Sequence, residues 1–375
     1  MSSGGSSQRL YNASGWAREL RASPLFAIGP SQPRPALRRG FLLAVPIGLA
    51  LIVELGFDGP TQGAIATGAL VNGFPGMDAP ARPRAAWQGA TAPFIGLAAA
   101  FGILSSQTAV TAILGLGLVG LLAGYLFSVS LRLAIVGLTV ALACLIAQGL
   151  FLPASDAWPA LLYATAGGLS QVAWSLIVWV TADRAADEPE KAWNTRRALD
   201  ALRANLTLAS PSARHALRFG AALAAGVATY RLLGMTDHGY WVPLTILFVM
   251  RPDREETDHR LILRALGTVL GLIVATAVAE SFGGDDLVLG TVLTVAAALS
   301  FGLLTVQYAL FTAAITTYVV LISATLGEGA FEAGGQRALG TALGILIAFL
   351  AWRLWPNRRS ALDLASQPSM GGARS

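Results

Sequence analysis

The chain has 375 residues, of which 54% are hydrophobic and 13% charged, with 26 Lys and Arg against 21 Asp and Glu. Soluble domains carry about 25% charged residues, so a mean hydropathy of +0.60 excludes a water-facing globule. A single cysteine, Cys144, excludes a disulfide framework or a thiolate metal centre. His215, His238 and His259 show no ligand spacing, so neither metal nor cofactor is expected. The basic pI of 9.8 calls for no nucleic-acid partner, because membrane topology accounts for the arginine excess.

The apolar runs fall in chain order at 41–57, 63–74, 88–104, 109–127, 133–152 and 160–181, then at 215–233, 240–250, 263–282, 287–303, 306–326 and 336–355. Such long charge-free runs predict an all-α polytopic membrane protein of about 12 transmembrane helices, built as two six-helix repeats in one orientation. The expected divisions are a cytoplasmic tail (1–40), a first repeat (41–181), a cytoplasmic amphipathic linker (182–213), a second repeat (214–356) and a disordered tail (357–375). The first run starts too late for a cleavable signal peptide in the usual place.

Basic residues give a separate reading of topology, since cytoplasmic loops collect them. With both termini in the cytoplasm, all 26 Lys and Arg except Arg231 and Arg337 fall on the inner side. The outer loops carry acids instead, among them Glu54, Asp156, Asp237, Glu280, Asp285, Glu328 and Glu332.

Duplication has several marks. The second run of each half is short and ends at a proline, Pro75 and Pro252, which lie 177 residues apart. In the second half Arg264-Ala-Leu-Gly267-Thr268-Val-Leu-Gly271 returns as Arg337-Ala-Leu-Gly340-Thr341-Ala-Leu-Gly344. These copies open the third and sixth runs, which cross in opposite directions, as an inverted three-plus-three arrangement would have it. Arg264 then starts on the cytoplasmic face and Arg337 on the outer face. The four glycines put small residues on one helix face, which suits close helix packing.

The linker carries Trp193, Leu199, Leu202 and Leu206 at helical spacing, with Arg196, Arg197 and Arg203 between them. It reads as a basic helix on the inner membrane surface, or as a simple tether.

The short runs are the best pointers to a substrate site, because backbone left unpaired at membrane depth needs protein or a water-filled cavity beside it. Local bilayer thinning is the other explanation. Candidate binding residues are Tyr240, Trp241, Pro243 and Thr245 on the second short run, Arg251 after it, and Arg264, Thr268, Arg337 and Thr341 from the octets. Tyr240 and Trp241 suit either an interfacial belt or a stack on an aromatic ligand. Arg231 and Glu54 occupy corresponding outer ends and invite pairing across the repeat axis. Arg337 needs a counter-charge, either Glu328 or Glu332 or an anionic substrate.

The stretch from Ser212 to Gly271 holds Arg214-His-Ala-Leu-Arg218-Phe, Gly239-Tyr-Trp-Val-Pro-Leu-Thr245, Met250-Arg-Pro-Asp253, Thr257 and Arg264-Ala-Leu-Gly-Thr268. It resembles the fusaric acid resistance protein-like family, also called the aromatic acid exporter family, with weaker likeness over 40–182. The resemblance implies a bacterial inner-membrane protein that exports aromatic or other organic acid anions. Distant kinship to plant malate channels also admits an anion channel. A large cytoplasmic domain found between the halves of longer members is not present here. Partners expected are the lipid bilayer and a small organic anion, with homo-oligomerisation left open; no catalytic constellation marks an enzyme. Proton coupling would fall to Glu54, Glu280 or His238. A non-transporting envelope scaffold is the alternative from another class.

Overall fold

A computed structural model describes residues 32–56, 63–182, 195–207, 210–235, 238–282, 285–325 and 330–355. Helix dominates, and no strand occurs among the described residues. In chain order the helices are α1 (Pro33–Gly56), α2 (Ala64–Asn72), α3 (Ala81–Ser106), α4 (Ala109–Tyr125), α5 (Leu131–Gly149), α6 (Ala157–Ala182) and α7 (Thr195–Ala204). They continue with α8 (Pro211–Leu232), α9 (Trp241–Val249), α10 (Arg254–Phe282), α11 (Asp286–Leu303), α12 (Tyr308–Thr325) and α13 (Ala330–Leu354). Eight of them are long and apolar enough to cross a membrane.

Isolated polar residues between the apolar runs set the helix starts. The side chains of Thr108, Ser130, Ser210 and Asp285 accept hydrogen bonds from the first free backbone amides of α4, α5, α8 and α11. Several ends differ from the hydropathy reading. α1 begins at Pro33 rather than 41, and α13 begins at Ala330 rather than 336. α10 reaches back to Arg254 through a charged turn held by Arg254–Asp258 (3.5 Å) and Arg260–Glu256 (2.9 Å) ion pairs. Those i,i+4 pairs keep a helix growing where hydropathy ends it. The linker helix α7 begins at Thr195, so Asp187 to Trp193 lie outside the described residues. Tyr125 donates its hydroxyl proton to the Leu202 carbonyl, which ties α7 to the end of α4.

Packing follows one pattern in both halves. In the first, α3 lies against α5 and α6, and short α2 against α1 and α6. In the second, α10 lies against α12 and α13, and short α9 against α8 and α13. Two further crossings join the halves: α1 runs along α11, and α8 along α4. Glycines permit each of these. A Cβ at Gly40 would stand 2.8 Å from the Gly302 amide nitrogen, and one at Gly220 would stand 2.6 Å from the Gly117 carbonyl oxygen. Real carbons essentially never approach so closely, so only glycine allows these backbones to touch. Leu49, Phe94, Leu118, Ile273 and Leu346 face outward, an apolar surface suited to lipid tails.

Candidate functional site

The two halves of the octet repeat meet around α9. This helix has nine residues, a rise of about 13 Å against a hydrocarbon core of about 30 Å. It is buried from Trp241 to Leu247. α13 brings Gly340 and Gly344 onto it, where a Cβ at Gly340 would lie 2.9 Å from Trp241 Cβ and one at Gly344 2.6 Å from Thr245 Cβ. On the other octet, a Cβ at Gly267 would lie 2.6 Å from Thr312 Cβ, and one at Gly271 2.7 Å from Thr316 Cβ, both on α12. Each copy of the octet thus seats its glycines against a neighbouring helix.

The same turns deliver the two arginines to the interior. Arg264, eleventh in α10, and Arg337, eighth in α13, both have 0% exposure. The expectation that they stand at opposite faces is therefore wrong. Each helix begins two to three turns before its octet, and that length carries the arginine inward. Arg337 Cζ lies 5.3 Å from the Trp241 ring centre, and Arg264 Cζ lies 5.3 Å from that of Phe248. Trp241 and Phe248 are two turns apart on one face of α9, a rise of about 10 Å.

Among the described residues, neither arginine forms an ion pair with an acidic side chain, no nitrogen of Arg337 has a hydrogen-bond partner, and Arg264 has only the Tyr308 hydroxyl beside it. The Tyr308 hydroxyl donates its proton to the Phe248 carbonyl at 3.1 Å, which leaves its oxygen as an acceptor beside Arg264. Glu328 lies outside the described residues, as does the side chain of Glu332. Around the arginines, Thr268 and Thr341 (one turn on) and Thr312 and Thr316 (on α12) are buried with unpartnered hydroxyls, as is the indole nitrogen of Trp241. An unpartnered polar group costs about 1–3 kcal/mol to bury, and a charge more. The two arginines, four threonines and Trp241 make seven such groups in the second half of the bundle.

The remaining sequence candidates are elsewhere. Thr245 bonds back to the Trp241 carbonyl at 3.0 Å, and Pro243 packs against Gly226 of α8. Arg251 is held in the turn after α9, donating to the Met250 carbonyl at 2.8 Å and lying 3.8 Å from Glu256. Arg231 donates to the Ser106 carbonyl at 2.8 Å and covers the Phe151 ring. It ends α8, which packs on α4, whereas Glu54 belongs to α1, which packs on α11; the Glu54 side chain lies outside the described residues. Trp241 is fully buried rather than at an interface, while Tyr240 is half-buried over the end of α5, where a Cβ on Gly149 would strike it. His238 sits with φ 59° and its Nε2 3.1 Å from the Ser323 hydroxyl, 4.2 Å from the Trp241 ring.

Sequence reasoning missed Phe248, Tyr308, Thr312 and Thr316. Thr312 and Thr316 are one helical turn apart in a run without charge, a spacing that puts both on one face.

Residues 222–353, which hold both octets and α9, match the fusaric acid resistance protein-like family. The chain is 40% identical over 148 residues to the inner membrane protein YccS of Escherichia coli, covering 38% of this chain and 20% of that one. It is 32% identical over 158 residues to the uncharacterized protein ORF2 of Neisseria gonorrhoeae, covering 42% of this chain and 37% of the relative. Over 169 residues it is 32% identical to the uncharacterized protein YhfK of Escherichia coli, covering 44% and 23%. The chain therefore spans well under half the length of these relatives. No solved structure matches it. Its apolar helices and this kinship make it a multi-pass protein of the inner membrane.

Proposed function

We propose that this protein is a transporter carrying aromatic or other organic acid anions out across the inner membrane. The observation behind this reading is the pair of buried arginines without counter-charges among the described residues, each set on an aromatic ring with unpartnered hydroxyls one turn on. Guanidiniums supply bidentate donors to a carboxylate. Trp241 and Phe248 supply apolar faces for the body of the acid. A short helix whose ends fall inside the bilayer leaves backbone and side chains bordering a passage rather than lipid.

Twelve crossings, with both halves in one orientation and both termini cytoplasmic, suit such a carrier. The matching helix pairs of the two halves, and the reciprocal contacts of α1 with α11 and α8 with α4, support duplication. Within the second half, the equivalent seating of the two octets supports the inverted three-plus-three arrangement. Arg39, Arg84, Arg132, Arg214, Arg251 and Arg353 all belong to the end of the bundle holding the starts of α1 and α8, which would be the cytoplasmic end.

Proteoliposomes loaded with labelled benzoate or with benzamide, its neutral isostere, test the reading. Benzoate should leave faster than from protein-free vesicles and benzamide should not. Equal release of both, or no release of any acid in an aromatic and dicarboxylic panel, rules out an organic-anion carrier.

A further inference from the structure

A second group of unsatisfied donors lies away from the paired arginines. His215 and Arg218 are one turn apart on α8, with 0% and 1% exposure. Arg218 donates from one terminal nitrogen to the Trp355 carbonyl at 2.8 Å, and its Cζ lies 3.4 Å from the Trp352 ring centre. Its Nε and other terminal nitrogen have no partner. Both ring nitrogens of His215 are also unpartnered, although the ring stacks on Phe219 at 5.7 Å and meets the edge of Phe127 at 5.2 Å. The indole nitrogen of Trp352 is buried and free as well. No described carboxylate pairs with this group.

Its place is distinct. Trp352 lies fifteen residues beyond Arg337 on α13, a rise of about 22 Å. The group lies where α8 begins and α13 ends, next to the end of α4.

We propose that His215, Arg218 and Trp352 form a second oxyanion site, one that takes a single carboxylate or phosphate group. Arg218 Nε and one terminal nitrogen, the Trp352 indole and the His215 ring hold N–H groups with no acceptor among the described residues, and one oxyanion offers lone pairs to them. The group could come from a free organic acid or from an anionic lipid headgroup. Use of the site as a loading station rests on the transport reading above; the oxyanion site itself does not.

The test labels the full chain with 5-fluorotryptophan and follows fluorine resonances, with those of Trp352 and Trp241 assigned through W352F and W241F. Benzoate is titrated in detergent, and phosphatidylglycerol is compared with phosphatidylcholine in nanodiscs. Benzoate should move the Trp352 resonance saturably in the unchanged chain and in R264Q/R337Q. R218Q should raise the half-saturating concentration at least about tenfold, with part recovered in R218K. A continued response at Trp241 in R218Q shows that this variant is folded. Movement with phosphatidylglycerol alone assigns the oxyanion to lipid. A Trp352 resonance that ignores both ligands, or responds unchanged in R218Q, overturns the proposal. A response at Trp352 without one at Trp241 would keep this site and defeat the arginine-pair reading.

Discussion

Arg337→Met should move stability and binding in opposite directions. Methionine keeps most of the length of the arginine stem and removes a charge that is fully buried and has no partner among the described residues. Replacing buried ionic groups with apolar ones of similar volume is commonly neutral or stabilising by about 1–4 kcal/mol. With an unfolding entropy near 2 cal/mol/K per residue, that corresponds to a rise in melting temperature of about 1–5 °C for a chain of 375 residues. Losing one partner of a buried charge contact costs about 2–5 kcal/mol, so acid affinity should fall by about thirtyfold or more. The assay is thermal unfolding in detergent by tryptophan fluorescence, with and without benzoate at a hundred times the dissociation constant of the unchanged chain. Ligand at that level stabilises the unchanged chain by about 2.7 kcal/mol and the variant by less than about 1 kcal/mol. A variant that melts lower without ligand, yet keeps its full benzoate shift, would mean that Arg337 is a structural residue and would refute the reasoning.

Three other expectations follow from the packing. Gly344→Leu forces a side chain into Thr245 and the Val242 carbonyl, each 2.6 Å from the new Cβ, so α13 must leave α9; overpacking of this kind costs about 1–3 kcal/mol and should show as a lower melting temperature and lost benzoate binding. Tyr308→Phe removes the donor to the Phe248 carbonyl and should destabilise by about 1 kcal/mol in denaturant unfolding, a value near zero contradicting that bond. Cys144 is the one cysteine, so a C144A background allows topology mapping; cysteines at Asp156 and Asp285 should react with an impermeant maleimide from outside, and those at Arg132 and Asp253 only after lysis.

How much was legible depended on whether a residue stood out from its composition. The octet was visible because arginine and threonine are scarce inside apolar runs, and it carries both central arginines. The depth of those arginines was not visible, since hydropathy ends α10 at its charged first turns, which the Arg254–Asp258 and Arg260–Glu256 pairs keep helical. Arg218 counts with the inner-side basic residues in the sequence, because a charge near a span end looks like a cytoplasmic one. Only the return of α13 beside α8 encloses it under Trp352. The short helices α2 and α9 were legible from length and proline alone, but not that α9 sets a ring beside each of two guanidiniums. Tyr308 and Phe248 gave no local signal, since their contact joins α12 to the end of α9 across 60 residues.

The most direct test of the arginine pair is flux of labelled benzoate through proteoliposomes holding R264Q/R337Q at the same protein density as the unchanged chain. The unchanged chain should release benzoate well above protein-free vesicles, and the double variant should fall to the protein-free rate while remaining folded by fluorescence. Release by the double variant at the unchanged rate would contradict the account.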